Sequence, residues 1–304
     1  MRVFVTGGSG FIGSHLVNQL KNENEVVVLI RDRPSGTSPW GKWVIEVLNG
    51  CSLVFGDVLN ARLLRRVLAE YRVECVYHMA AQAVVSTALK DPVGTFQTNV
   101  LGTINVLEAC RQVGVDKVLV MSTDKVYGNR MSAAVTDPLV SSGIYETSKC
   151  CQDLLSQTFQ SSYRMNIVIP RSCNCYGFDL APRIISNTIR ACLHGESPII
   201  FEGEMTLRQY IYVEDLCNAL IHLMVHAPYR GIYNIGTPDI FNQEQVVKTI
   251  LKLFPTLKPK YVKREAPTEI RSQSMVCSDF GWKPHHSFGE GVKETIESFR
   301  KYGY

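Results

Sequence analysis

Thr6-Gly7-Gly8-Ser9-Gly10-Phe11-Ile12-Gly13 follows the run Arg2-Val3-Phe4-Val5 and leads into Phe11–Lys21, a stretch with helical spacing. Glycines spaced this way between a strand and a helix form the turn that cradles a dinucleotide pyrophosphate. Gly7 permits the turn, Gly10 lets the backbone approach the anion, and Gly13 lets helix and strand pack closely. The exposed N–H groups at the helix start, around Phe11 and Ile12, attract the phosphate charge. A plain glycine turn is the alternative, and the position directly after a first strand argues against it.

Outward from this loop, short β-rich runs alternate with longer helical stretches. The runs are Glu25–Ile30, Leu53–Phe55, Cys75–His78, Lys117–Ser122 and Asn166–Pro170; the helical stretches are Ala61–Tyr71, Val93–Val113 and Ser142–Tyr163. Nearly all-apolar strands alternating with helices predict an α/β fold: a Rossmann-type doubly wound parallel sheet, buried on both faces. Pro34, Gly36 and Pro39 read as a loop. After about Arg171 the pattern loosens into prolines, short strands and interspersed helices. This predicts a dinucleotide-binding domain over 1–172 and a smaller α/β C-terminal substrate lobe over 173–304, with some segments returning to the first domain.

The 304 residues are 45% hydrophobic and 20% charged, ordinary globular composition that excludes disorder and a disulfide miniprotein. The formal charge is +4 with no basic block, so no nucleic-acid surface is expected. The longest aliphatic run, Val26–Ile30, is far too short to span a membrane. The chain runs from Met1-Arg2 straight into the first strand without a signal-peptide pattern. The ten cysteines are dilute, sit in apolar contexts and form no C-x-x-C, so they read as reduced thiols in a cytoplasmic protein with no metal site.

Asp32 lies 19 residues beyond Gly13, where the second strand should deliver an acid to the adenosine ribose. Its neighbours Arg31 and Arg33 are suited instead to a 2′-phosphate; NAD is expected and NADP left open. Asp57, in Gly56-Asp57-Val58, suits either the adenine amine or a helix cap. Tyr145-Glu-Thr-Ser-Lys149 places a phenol and an ammonium one helical turn apart. A nearby ammonium favours the phenolate, which would let Tyr145 take a hydroxyl proton near neutral pH. Upstream, the strand ending at Met121 runs into Ser122-Thr123-Asp124-Lys125-Val126-Tyr127-Gly128, at the end of the sheet where doubly wound folds bind ligands.

In this order, these segments resemble the extended short-chain dehydrogenases/reductases, the nucleotide-sugar epimerase/dehydratase group. The resemblance also covers His78-Met-Ala-Ala-Gln82, Asn99-Val-Leu-Gly-Thr103, Arg171–Gly177, Arg208–Asp215 and Gly281-Trp-Lys-Pro284. It implies that Ala80 and Ala81 line the cofactor channel and that Asn99 contacts the nicotinamide side. It implies Tyr145 as the base and Lys149 as the holder of the nicotinamide ribose. Asn174 and Arg208 match positions that contact a nucleotide-sugar diphosphate, with Arg183 and Arg271 toward the nucleotide end. Arginine forks and amide donors suit such a ligand. The resemblance also suggests a homodimer built on the helices around Val93–Val113 and Ser142–Tyr163.

Within that group, epimerases and uronate decarboxylases commonly carry small or hydroxyl residues after the strand-end serine. Thr123-Asp124-Lys125 is instead similar to the set of CDP-glucose 4,6-dehydratases, whose dTDP-glucose counterparts have Thr-Asp-Glu. The resemblance therefore implies an acid at Asp124 and a base at Lys125, and a 4,6-dehydratase ahead of a 4-epimerase.

Overall fold

The computed structural model describes residues 1–226, 230–263 and 274–304. In the first strand, β1 (Arg2–Thr6), Val3 and Val5 join one hydrophobic cluster and Phe4 joins another, and all three are wholly buried. Side chains alternate across a strand, so a strand apolar at every position needs cover on both faces. The chain supplies it by alternation: α1 (Phe11–Leu20), β2 (Glu25–Ile30), α2 (Pro39–Leu48), β3 (Ser52–Phe55), α3 (Ala61–Glu70) and β4 (Cys75–His78). Next come α4 (Val85–Lys90), α5 (Pro92–Phe96), a π-turn at Gln97–Leu101, α6 (Gly102–Val113), β5 (Lys117–Val120) and β6 (Ser122–Thr123). A 3-10 turn at Asp124–Tyr127 precedes the long α7 (Ile144–Tyr163) and β7 (Ile167–Ser172).

The remainder comprises β8 (Asn174–Tyr176), α8 (Ile184–Leu193), β9 (Ile199–Glu202), β10 (Arg208–Tyr212), α9 (Val213–His226) and β11 (Gly231–Ile235). It ends with β12 (Ile240–Phe241), α10 (Gln243–Leu251), β13 (Lys260–Lys263) and α11 (Phe288–Tyr302). The main sheet runs β11-β7-β5-β4-β1-β2-β3, all parallel, with β6 pairing alongside β7. This is the expected Rossmann-type sheet. Strand order reverses between β1 and β4, so their carboxyl ends open a crevice there. The smaller sheets, β12-β10-β8 and β13-β9, stand beyond it. Residues past 173 also return to the main sheet: β11 extends it, α9 packs on α1, and α11 packs on α2.

Two segments differ from the sequence reading. Pro39 does not mark a loop but opens α2, with Ser38 capping the Gly41 N–H at 3.0 Å. Proline suits the first helical position because its missing N–H has no partner to lose there. Trp40 and Trp43 then pack on Phe178. The expected strand Lys117–Ser122 is broken at Met121, because the ladder with β4 ends at the His78–Val120 pair.

One buried ion pair joins these layers. Arg171 on β7 grips Asp153 on α7 through two hydrogen bonds of 2.9 and 2.8 Å, with side chains 2% and 0% exposed. Ser122 and Gln157 donate to the same carboxylate, and Arg171 also donates to the Tyr127 hydroxyl at 2.7 Å. Tyr127 in turn donates to Asn234 on β11, whose amide holds the Ala133 and Val276 carbonyls. Charges taken out of water are tolerated only when fully paired, and removing one partner strands the other. Arg171→Leu or Asp153→Leu should each cost about 3–5 kcal/mol in urea unfolding, with the double variant losing less than the two losses added. Single losses below about 1 kcal/mol would contradict this account.

Candidate active site

Gly7 adopts φ +70°, the left-handed region that glycine alone enters freely, and a Cβ there would stand 2.7 Å from the Ala80 backbone. A Cβ on Gly13 would meet the Gly7 carbonyl oxygen at 2.1 Å. Glycine at these two positions therefore lets the turn pack closely on the strand end at Ala80 and lets α1 pack closely on the turn. No side chain caps α1, so its first turn presents backbone N–H groups to the crevice, which suits a dinucleotide pyrophosphate. Phe11, Ile12 and Gly10 line a cleft of about 530 Å3 together with Ala80, Ala81, Thr123, Asp124, Lys125, Tyr145 and Lys149. Asn174, Arg183 and Arg208 line its far side.

The remaining expected cofactor contacts lie off that wall. The Asp32 carboxylate, 79% exposed just past β2, pairs with Arg31 at 3.0 Å. Arg33 rests its guanidinium over the Phe55 ring at 4.9 Å. Asp57 accepts the Leu59 N–H in a local turn, while the cap of α3 is Asn60. Val58 is buried against Gly102. Asn99 is wholly buried and is not among the residues that line the cleft. The π-turn aims its amide at both backbone groups of Gln82, accepting from the N–H at 2.7 Å and donating to the carbonyl at 3.1 Å. It also donates to Ser148. Asn99 thus fixes the loop after β4 relative to α7. Arg271 lies outside the described residues.

The reactive cluster comes from two elements. The 3-10 turn brings Asp124, 1% exposed, into the cleft wall, where Thr123 donates to it at 3.0 Å and the Lys125 ammonium pairs with it at 3.5 Å. The first turns of α7 bring Tyr145 and Lys149. Burial raises the Tyr145 phenol to about 12, with the Asp124 charge adding to the rise and a hydrogen bond with Thr123 opposing it. The Lys149 ammonium is pushed down to about 8 by desolvation, against the pull of Asp153. The phenol is thus raised rather than lowered as its spacing from an ammonium predicts, and the Lys149 Nζ donates to the Met121 carbonyl at 2.6 Å and to Gln152.

On the substrate side, Asn174 lines the cleft and donates to the Gln209 carbonyl at 3.1 Å. Arg183 lies over Phe11 at 5.0 Å and pairs with Asp179 at 3.3 Å. Asp179 is nearly buried, accepts the Ala181 N–H, and holds the turn that leads Arg183 into the cleft. Neither Asp179 nor Gln152 follows from the strand-helix pattern. For Gln152 the available signal was its spacing three residues past Lys149, which sets both on adjoining parts of one helix face. Cys173 and Cys175 form pocket wall on either side of Asn174, and all ten cysteines are free thiols. Among the described residues no helix is long and apolar enough to cross a membrane.

Known proteins are similar to this chain along most of its length. The family described as "NAD dependent epimerase/dehydratase family" matches residues 3–236. A dTDP-glucose 4,6-dehydratase of Mycolicibacterium smegmatis is 30% identical over 315 residues, covering 99% of this chain and 93% of its own. A UDP-glucuronic acid decarboxylase of Arabidopsis thaliana is 30% identical over 317 residues, covering 99% and 89%. The structure of a Thermus thermophilus UDP-glucose 4-epimerase in complex with NAD superposes with a TM-score of 0.84 at 30% identity, covering 99% of both chains.

The cradle yields a direct expectation. Gly10→Ala, whose Cβ would stand 3.2 Å from the Gly7 carbonyl oxygen, should leave the fold intact by circular dichroism and weaken NAD at least about tenfold, or 1.4 kcal/mol, in calorimetric titration. Unchanged affinity would show that the loop does not hold the dinucleotide.

Proposed function

From the premise that the chain belongs to the NAD dependent epimerase/dehydratase family, we propose that it is a nucleotide-sugar 4,6-dehydratase. Its product would be the nucleotide-linked 4-keto-6-deoxyhexose. The observation that carries the reading is Asp124, a buried carboxylate at a strand end, paired with Lys125 and close enough to Tyr145 to raise its pKa. Epimerases of the group commonly carry small or hydroxyl residues at this place. An acid and an amine set together beside the phenol suit the additional loss of water.

NAD, which Gly7, Gly10 and Gly13 would hold, would supply the acceptor of the C4 hydride and the donor that returns it to C6. The protein's own residues handle the protons. Tyr145 takes the proton of the C4 hydroxyl, and a cationic nicotinamide beside it would offset the burial that holds the phenol up. With C4 a ketone, the neighbouring C5–H becomes acidic, and Lys125 is the basic side chain assigned to remove it. Asp124 first takes the proton of the paired Lys125 ammonium, which leaves Lys125 the free amine, and then delivers that proton to the C6 hydroxyl, which leaves as water. Hydride gain at C6 and a proton at C5 complete the product, so no net oxidant is consumed. Arg208, Arg183 and Asn174 would hold the diphosphate through charge-assisted hydrogen bonds.

Incubation with CDP-, dTDP-, UDP- and GDP-hexoses should yield one 4-keto product, detected by its ultraviolet absorbance in alkali. A stereoisomer without keto product would favour epimerisation, and loss of carbon dioxide from a uronate would favour decarboxylation. Asp124→Asn should lower dehydration by about 100-fold or more while C4 oxidation persists. Full-rate dehydration by this variant would overturn the assignment.

The partner we assign to the exposed α5–α7 face is a second copy of the chain. Val93, Leu101 and Leu154 stand 67%, 46% and 52% exposed there, and a two-fold dimer buries the same apolar patch on both copies. Light scattering should give a dimer mass that Leu154→Lys reduces to the monomer. A wild-type monomer would exclude the interface.

A further inference from the structure

A continuous chain of hydrogen bonds crosses the core from the glycine turn to the reactive lysine. The hydroxyl of Thr103 on α6 spends its hydrogen on the Asn99 carbonyl at 2.7 Å. Its two lone pairs therefore accept, one from the Gln152 amide at 3.0 Å and one from the His78 ring at 2.9 Å. His78 must then carry its hydrogen at Nε2, and its Nδ1 accepts from the Thr6 hydroxyl at 2.8 Å. Thr6, directly before Gly7, accepts in turn from the Ala80 N–H at 3.2 Å. Burial drives the His78 pKa down to about 3, so the ring stays neutral, as this sequence of donors and acceptors requires.

At the other end, the Gln152 amide cannot rotate without losing its bond to Thr103, so its carbonyl oxygen is presented to Lys149. The lysine donates to that oxygen and to the Met121 carbonyl. Gln152 is 1% exposed, and its amide is bonded at both ends. A residue that only filled this space would need no polar atoms, and a buried amide carries a desolvation cost that its hydrogen bonds must offset.

We propose that Gln152 is a positioning residue for Lys149: its amide, locked through Thr103 and His78 to the glycine turn, fixes where the ammonium sits in the cleft. The inference rests on the proposed function, in which Lys149 lines the cofactor cleft together with the base Tyr145. The ionisable groups around this ammonium are Tyr145 and Asp153 on its own helix, His78 on β4, Asp124 on the 3-10 turn, and Arg171 on β7 behind Asp153. Gln152 supplies a neutral side chain that accepts from it, beside the Met121 backbone carbonyl, so changing the charge of Gln152 isolates that side chain's contribution.

The test follows Lys149 itself. The full chain, labelled with 13C at the lysine Cε, is titrated by NMR, with the Lys149 signal identified by its loss in Lys149→Met. The wild-type midpoint should lie near 8. Gln152→Leu removes an acceptor from a desolvated ammonium and should lower the midpoint. Gln152→Glu places a carboxylate at the same contact and should raise it by about one pH unit or more. Gln152→Glu keeps the size and shape of the side chain, so it stands as the test if the leucine variant fails to fold. Opposed shifts, or the upward shift of Gln152→Glu alone where leucine does not fold, support the positioning role. A Gln152→Glu midpoint equal to or below wild type overturns it, as does a Gln152→Leu midpoint unchanged or raised. If no nucleotide sugar is turned over, the proposed function falls while this titration still reads the contact.

Discussion

The pairing of Arg171 with Asp153 is the interaction on which the arrangement of the site depends. It carries full charges into a place with almost no water, so every remaining donor and acceptor around it must be satisfied. Ser122, Gln157 and Tyr127 do this, and each belongs to a different part of the cleft's support. The result is that α7, which carries Tyr145 and Lys149, cannot slide relative to the strand end that carries Thr123 and Asp124. A doubly wound sheet brings such groups near one another in general; this ion pair fixes their separation in particular.

Burial then acts on the two reacting groups in opposite senses. The same loss of water disfavours the charged phenolate and the charged ammonium, lifting one pKa and depressing the other. Without a ligand the pair is therefore drawn toward its neutral forms, a phenol and an amine. A cationic ring beside them favours the phenolate, which couples the base to an occupied cofactor cradle. Asp124 opposes that change, so its ion pair with Lys125 also moderates how much negative charge the phenol meets.

The fold was largely legible because all-apolar strands and helical spacing are local signals. β1, β2 and α3 fall within a residue of the stretches read from the sequence. The glycine loop and Tyr145–Lys149 were legible for the same reason: each works through its immediate neighbours. What escaped was decided by contacts distant in sequence. The cap Ser38 and the tryptophans of α2 were obscured by three turn-forming residues read together. Asn99 matches a motif position, and the π-turn directs its amide to Gln82. Lys149 also turns to the Met121 carbonyl at the end of the sheet, a contact that spacing along one helix cannot reveal.

The place of β11 in the sheet has a consequence for how the molecule comes into being. This strand pairs with β7, yet β8, α8, β9, β10 and α9 are all synthesised between them. Until Asn234 emerges, Tyr127 lacks its acceptor, and until Val276 follows, the Asn234 amide is incompletely bound. The ionised core is thus sealed last, by residues from the far end of the chain. Contacts so distant in sequence are slow to form, since long loops must close before they are rewarded. A ribosome-bound fragment ending before residue 231 would hold most of the sheet but leave β7 as an open edge, with its arginine still accessible to water.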